Sequence, residues 1–200
     1  MAGRILIAAI VGGALMFGGG FVDHMFLGWV GRHMKSPADE STLAEPFRNH
    51  FKEPGIYGFP HMPPGFMELS KDEQTKVWNE LNERYKRGPS AIVVVAPTGE
   101  DMMSPMQLGG EFASNVLAAL IAAIIVAMLR PDVGFAGRWV AVFLIGIATW
   151  VSVNASYFLW YRFPWPFVQD ELLCVLVEWA AAGIAIAAIV RPCAAGPVSR

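Results

Sequence analysis

The sequence predicts an all-α integral membrane protein: four transmembrane helices with a small extracytoplasmic cap between the first and the second. Three observations predict it. The 200-residue chain is 54% hydrophobic and only 16% charged, too apolar for a soluble protein of this length. Its apolar residues gather into four runs, 4–29, 109–129, 137–161 and 171–190. At about 1.5 Å of helical rise per residue, each run supplies roughly the 30 Å that a hydrocarbon core demands. Arginines also flank the runs unevenly, with Arg4, Arg130, Arg138, Arg191 and Arg200 on one side and Arg162 alone in the opposite short link. That bias sets both termini in the cytoplasm of a bacterial inner membrane.

The first run reads as an uncleaved anchor. Ile5 to Val22 is longer than the apolar region of a signal peptide, and Gly18-Gly19-Gly20-Phe21 leads into further apolar residues without an A-x-A site. Residues 31–108 then form the cap. Asp39 or Ser41 opens a short helix toward Phe51, provided that Pro46 falls in its first turn. Residues 53–60 and 61–65 are rich in Gly and Pro and read as irregular. Ser70 with Glu73 makes a capping box, and Val77, Trp78, Leu81 and Tyr85 recur at helical spacing, which predicts an amphipathic helix over 71–87 stopped by Gly88-Pro89. The β-branched run 91–96 predicts one extended strand. With no second strand evident, it is expected to lie over the helix or the bilayer surface, or to pair with a partner chain.

The remaining spans follow, with the aromatic run from Tyr157 to Phe167 forming an interfacial belt and residues 191–200 a cytoplasmic tail. Small residues mark close helix contacts. Gly12, Gly13 and Gly18 on the first span face a smooth surface at Ala180 and Gly183 on the fourth, or else another subunit.

The order of these elements resembles a group of small four-span bacterial inner-membrane proteins to which no activity is assigned. Gly55, Tyr57, Phe59 and Pro60 carry a G-x-Y-x-F-P element, Gly88-Pro89 the helix stop, Pro97 and Gly99 a P-x-G turn, and Ser104, Pro105, Gln107 and Leu108 an S-P-x-Q-L element. The resemblance implies the four-span topology and brings no catalytic residue with it.

Two sets of side chains could carry chemistry. The first is polar and intramembrane: Asp23 and His24 in the first span, Glu111 and Asn115 in the second, Asn154 in the third and Glu178 in the fourth. Counted from the outer rim, each span places one of them about 9–10 Å deep, so they are expected to form one layer. Such groups turn away from lipid and pair with one another. The layer would bind a proton or cation, or else fix helix register. The second set is soft: the His-Met pairs His24-Met25, His33-Met34 and His61-Met62, with Met67, Met102, Met103 and Met106. Imidazole with thioether suits Cu(I), which makes His33, Met34, His61 and Met62 candidate copper ligands. Haem would need a loop histidine or a partner's ligand beside His24, the one histidine near membrane depth.

The remaining chemistry is sparse. The two cysteines, Cys174 and Cys193, fall in the fourth span and the cytoplasmic tail, so no disulfide is expected. There is no G-x-S-x-G elbow, H-E-x-x-H helix, Walker loop or dinucleotide fingerprint. The net charge of −2 and the lack of a basic run give no reason to expect nucleic acid. The sequence therefore points first to a non-catalytic accessory or assembly subunit of a larger inner-membrane complex, with no cofactor of its own. A small proton- or cation-handling protein and an outer-face Cu(I) binder are the alternatives.

Overall fold

The computed structural model describes residues 1–96, 98, 101 and 103–192. Pro97, Gly99 and Met102, and the tail from Cys193 to Arg200, lie outside the described residues. The chain divides into two compact units, Met1–Lys35 with Asp101–Arg200, and Ser36–Glu100.

Four helices of the first unit are long and apolar enough to cross a membrane, and the protein is a multi-pass membrane protein. Helix α1 covers Ala2–Val22 and continues as a π-helical turn to Leu27. In the other unit, α2 covers Glu40–His50 and α3 Lys71–Arg87. The remaining spans are α4 (Pro105–Ala127), α5 (Phe135–Leu159) and α6 (Trp165–Ile189). Helix α4 starts four residues before the apolar run because Ser104 and Gln107 form a capping box. The Gln107 N–H donates to Ser104 Oγ at 3.1 Å and the Ser104 N–H to Gln107 Oε1 at 3.0 Å. Helix α6 starts six residues early, at Trp165, with Pro166 in its first turn, where a missing N–H costs nothing. The aromatic run is thus split between the end of α5 and the start of α6.

In lipid, helices gain nothing by hiding apolar surface from each other, so close backbone approach decides how they associate. Helix α1 packs against both α4 and α6, and α5 packs chiefly against α6. The fully buried alanines Ala119, Ala122 and Ala123 give α4 a flat face. A Cβ on Gly13 would stand 2.6 Å from the Val116 backbone of α4, and one on Gly12 within 3.2 Å of both Ala119 and Ile186. Two expectations are corrected here. Ala180 and Gly183 serve the third span: the Ala180 carbonyl accepts from Trp139 Nε1 at 3.0 Å, and a Cβ on Gly183 would meet Trp139 at 3.1 Å. Gly18 has open space where its Cβ would be. Outward-facing Ile7, Ile10, Leu117, Ile121, Leu144 and Ile184 are the lipid surface of the spans.

In the second unit, strand β1 (Gly55–Phe59) pairs antiparallel with β2 (Ala91–Val95), in the register Gly55↔Val95, Tyr57↔Val93 and Phe59↔Ala91. This corrects the reading of 53–60 as irregular and of 91–96 as a lone strand. Two glycines and flanking prolines hide β1, and α3 separates the strands, so no hairpin turn announces the pairing. Helix α2 opens at Asp39, whose carboxylate accepts the Thr42 N–H at 3.2 Å. Pro46 is its seventh residue, well past the first turn. The helical donor it deletes is tolerated because α2 is exposed along its length, so the orphaned carbonyl faces water. Phe51 packs edge-to-face with both Phe47 and Tyr57, with ring centroids 5.0 and 4.8 Å apart, and ties α2 to β1.

Helix α3 starts at the Ser70 capping box, where the Ser70 N–H donates to Glu73 Oε2 at 3.0 Å and the Glu73 N–H to Ser70 Oγ at 3.4 Å. The hydrogen bond from the Ser70 hydroxyl holds the Glu73 carboxyl below its ordinary range. Its folded value lies below its unfolded one, so its contribution is complete at neutral pH and is lost as pH falls through the folded value. Ser70→Ala is expected to cost this helix about 1 kcal/mol and to flatten that acid response. Amide exchange of residues 71–76 at neutral and acid pH, corrected for intrinsic rates, reads both. An unchanged acid response in the variant would contradict the assignment.

Candidate functional site

The site grows from the C-terminal end of α1. The Gly28 N–H donates to the Asp23 carbonyl at 2.6 Å, closing the π turn, and Gly28 ends it at φ 60°, a conformation that favours glycine. The neighbours Asp23 and His24 line different cavities. Asp23 is only 3% exposed, and its Oδ1 accepts the Trp29 N–H at 2.9 Å, folding the chain back over the helix end.

Two cavities flank Glu178. The larger, of about 590 Å³, lies between α1, α4 and α6, and its lining includes His24, Met25, Gln107, Glu111, Asn115 and Glu178. The smaller, of about 240 Å³, is lined by Gly18, Gly19, Asp23, Trp29, Cys174 and Glu178 among others. The glycines of α1 make room for the shared carboxylate. A Cβ on Gly19 would stand 2.9 Å from Glu178 Cγ, and one on Gly20 3.3 Å from Glu178 Oε1. On α4, Asn115 Nδ2 donates to Glu111 Oε1 at 3.2 Å, one turn away.

The six candidate polar residues therefore do not form one layer. His24, Glu111, Asn115 and Glu178 share the larger cavity, while Asp23 meets Glu178 in the smaller. Asn154 lines neither, because α5 packs chiefly on α6, away from α1. It is buried, and its Oδ1 has no hydrogen-bond partner among the described residues. The depth of Glu178 also changes. With α6 starting at Trp165, Glu178 is the fourteenth of 25 helical residues, about 20 Å from the helix start and near the middle of the span.

A clasp that no sequence motif announces ties the segment after α1 to the start of α6. Asp170, on α6 and only 4% exposed, accepts two hydrogen bonds from Arg32, Nε to Oδ2 and Nη2 to Oδ1, each at 2.6 Å. His33 Nε2 lies 2.6 Å from the same Oδ2. Hydrogen bonding to Asp170 raises the Arg32 pKa above its ordinary value. The one available signal is an acid at the head of an apolar run matched to a lone arginine past the end of another, 138 residues apart. Arg32→Ala is expected to lower the thermal midpoint in detergent more than Asp170→Asn. The first strands a buried carboxylate with His33 alone, whereas the second frees an arginine whose side chain is 55% exposed and can turn to water. The reverse ranking would contradict the clasp.

Of the candidate copper ligands, His33 and Met34 belong to the membrane unit and His61 and Met62 to the other. His33 spends Nε2 on Asp170, and His61 Nδ1 lies 2.7 Å from the Met62 carbonyl. Among the described residues, no three His, Cys, Asp or Glu side chains converge to hold a metal ion. No protein-family model, curated protein or solved structure matches this chain.

Proposed function

We propose that this chain is a small proton- or cation-handling protein of the bacterial inner membrane, with both termini cytoplasmic and the ion held in the larger cavity. One observation carries the reading. The cavity lining includes two carboxylates from different spans, Glu111 and Glu178, and among the described residues His24 is its only side chain able to carry positive charge. Such a lining attracts a proton or a hard cation, for which carboxylate and amide oxygens are the natural donors. The excess of arginine at one side of the spans supports the orientation. The test is a titration of the detergent-purified full chain with protons, NaCl and CaCl2 by tryptophan fluorescence, with Trp29 on the smaller cavity as reporter. A saturable response that cations and protons compete for is expected. A signal indifferent to all three would overturn the reading.

A second reading, as an accessory subunit of a larger complex, draws on the β1–β2 ribbon. Its outer edges are unpaired among the described residues, and Ile56 and Val94, paired across the strands, are 76% and 78% exposed. Gentle extraction decides it by whether a partner stays bound in stoichiometric amount.

A further inference from the structure

We propose that the unit Ser36–Glu100 carries a binding site for a phosphate group, built where β1 runs into Pro60 and where α3 ends. Two elements that stand apart in the sequence meet there. The Phe59-Pro60 end of the G-x-Y-x-F-P element and the Gly88-Pro89 helix stop line one cavity of about 360 Å³ with Arg84 and Arg87. A cavity of that size lies within the range of small-ligand sites.

The chemistry of the lining selects an anion. Arg84 and Arg87 are three residues apart on α3 and so project from one side of it. Among the described residues neither has a carboxylate partner within 4.0 Å. Glu83, one turn before Arg87, is taken by Lys86 at 2.7 Å. Both arginines lie in or next to the last turn of α3, where the helix dipole contributes only about half a negative charge against two full positive ones. The Gly88 N–H already donates to the Arg84 carbonyl at 3.0 Å, and the two prolines have no N–H to offer. The guanidiniums are therefore the donors, and Phe59, Pro60 and Pro89 are an apolar wall. Guanidinium forks match phosphate oxygens two at a time, and the wall suits the carbon side of a phosphate ester. In the chain the unit is joined to a span at each end, by residues 28–35 after Leu27 and by residues 101–104 before Pro105, so a phospholipid headgroup and a free phosphate ester are two sources of the same chemistry.

The experiment is calorimetric titration of the detergent-purified full chain with inorganic phosphate, glycerol 3-phosphate and dihexanoyl phosphatidylglycerol. Neutral glycerol is the blank. Saturable binding is expected for at least one phosphate probe, and the double variant R84Q/R87Q should weaken it about tenfold or more, while R48Q, on α2, leaves it unchanged. Equal affinity for glycerol 3-phosphate and the lipid assigns a water-soluble ester, and binding of the lipid alone assigns the headgroup. Either result supports the site. Absence of saturable binding for every probe, or affinity of the double variant within about twofold of the parent, overturns it. Thermal melting accompanies each variant, and if the double variant melts early, R84Q and R87Q singly decide by the same criterion.

Discussion

Glu178→Gln is expected to weaken proton or cation binding by about 100-fold, some 2.8 kcal/mol, while leaving the thermal midpoint within about a degree or two of the parent. The substitution keeps the shape of the side chain and removes only its charge. That charge occupies a special position. Glu178 is the one residue among those described that lines both cavities, and it sits near the middle of its span, where an uncompensated carboxylate is costly. Glu111→Gln should cost less, because Glu111 is exposed near the start of α4 and one of its oxygens already accepts from Asn115. Gly19→Ala offers a third reading of the same carboxylate. The added methyl would stand 2.9 Å from Glu178 Cγ, close to the α6 backbone, so the whole side chain must turn and affinity should fall together with some stability. Fluorescence titration of the three variants gives the ranking. A Glu178→Gln protein that titrates like the parent would remove the carboxylate from the site, and with it the proposed function.

How much of this was legible in the chain depends on the range of the interactions. The four spans are continuous apolar runs, and the capping box at Ser70 is local, so both can be read directly. The start of α4 is local too, since Ser104 and Gln107 have capping spacing, although the apolar run itself begins only at Gly109. The early start of α6 is marked by Pro166, a residue that opens helices, and it places Glu178 several residues deeper than the apolar run alone suggests. What stayed hidden is non-local. Strand β1 carries glycines where strands usually carry β-branched residues, and its mate lies beyond an entire helix. The Arg32–Asp170 clasp joins positions 138 apart, and no periodicity predicts a π turn at Asp23. The separation of Asn154 from the other polar residues follows from α5 packing on α6, where Gly146 leaves room for Trp179 and Gly183 for Trp139. Small residues advertise a close approach without naming the partner helix.

Gly13→Val should be among the most destabilising substitutions in the membrane unit. A Cβ at Gly13 would lie 2.6 Å from the Cα, N and Cγ2 of Val116. Two of those atoms are helix backbone and cannot turn aside, so α1 must move away from α4. Overpacking of this kind costs about 1–3 kcal/mol in a soluble core, and the upper end is expected here because close approach itself holds the helices together in lipid. Moving α1 also lifts Gly12 off Ala119 and Ile186 and widens the larger cavity, to which α1 contributes His24, so ion affinity should fall together with stability. Gly18→Ala is the control on the same helix. It adds a methyl where nothing lies within 4 Å, so only the helix-propensity gain of up to about 1 kcal/mol remains. Thermal unfolding of both variants in detergent therefore separates packing from propensity. The Gly18→Ala midpoint should equal or exceed that of the parent while Gly13→Val drops well below it, and equal midpoints for the two would mean that α1 and α4 do not meet at Gly13.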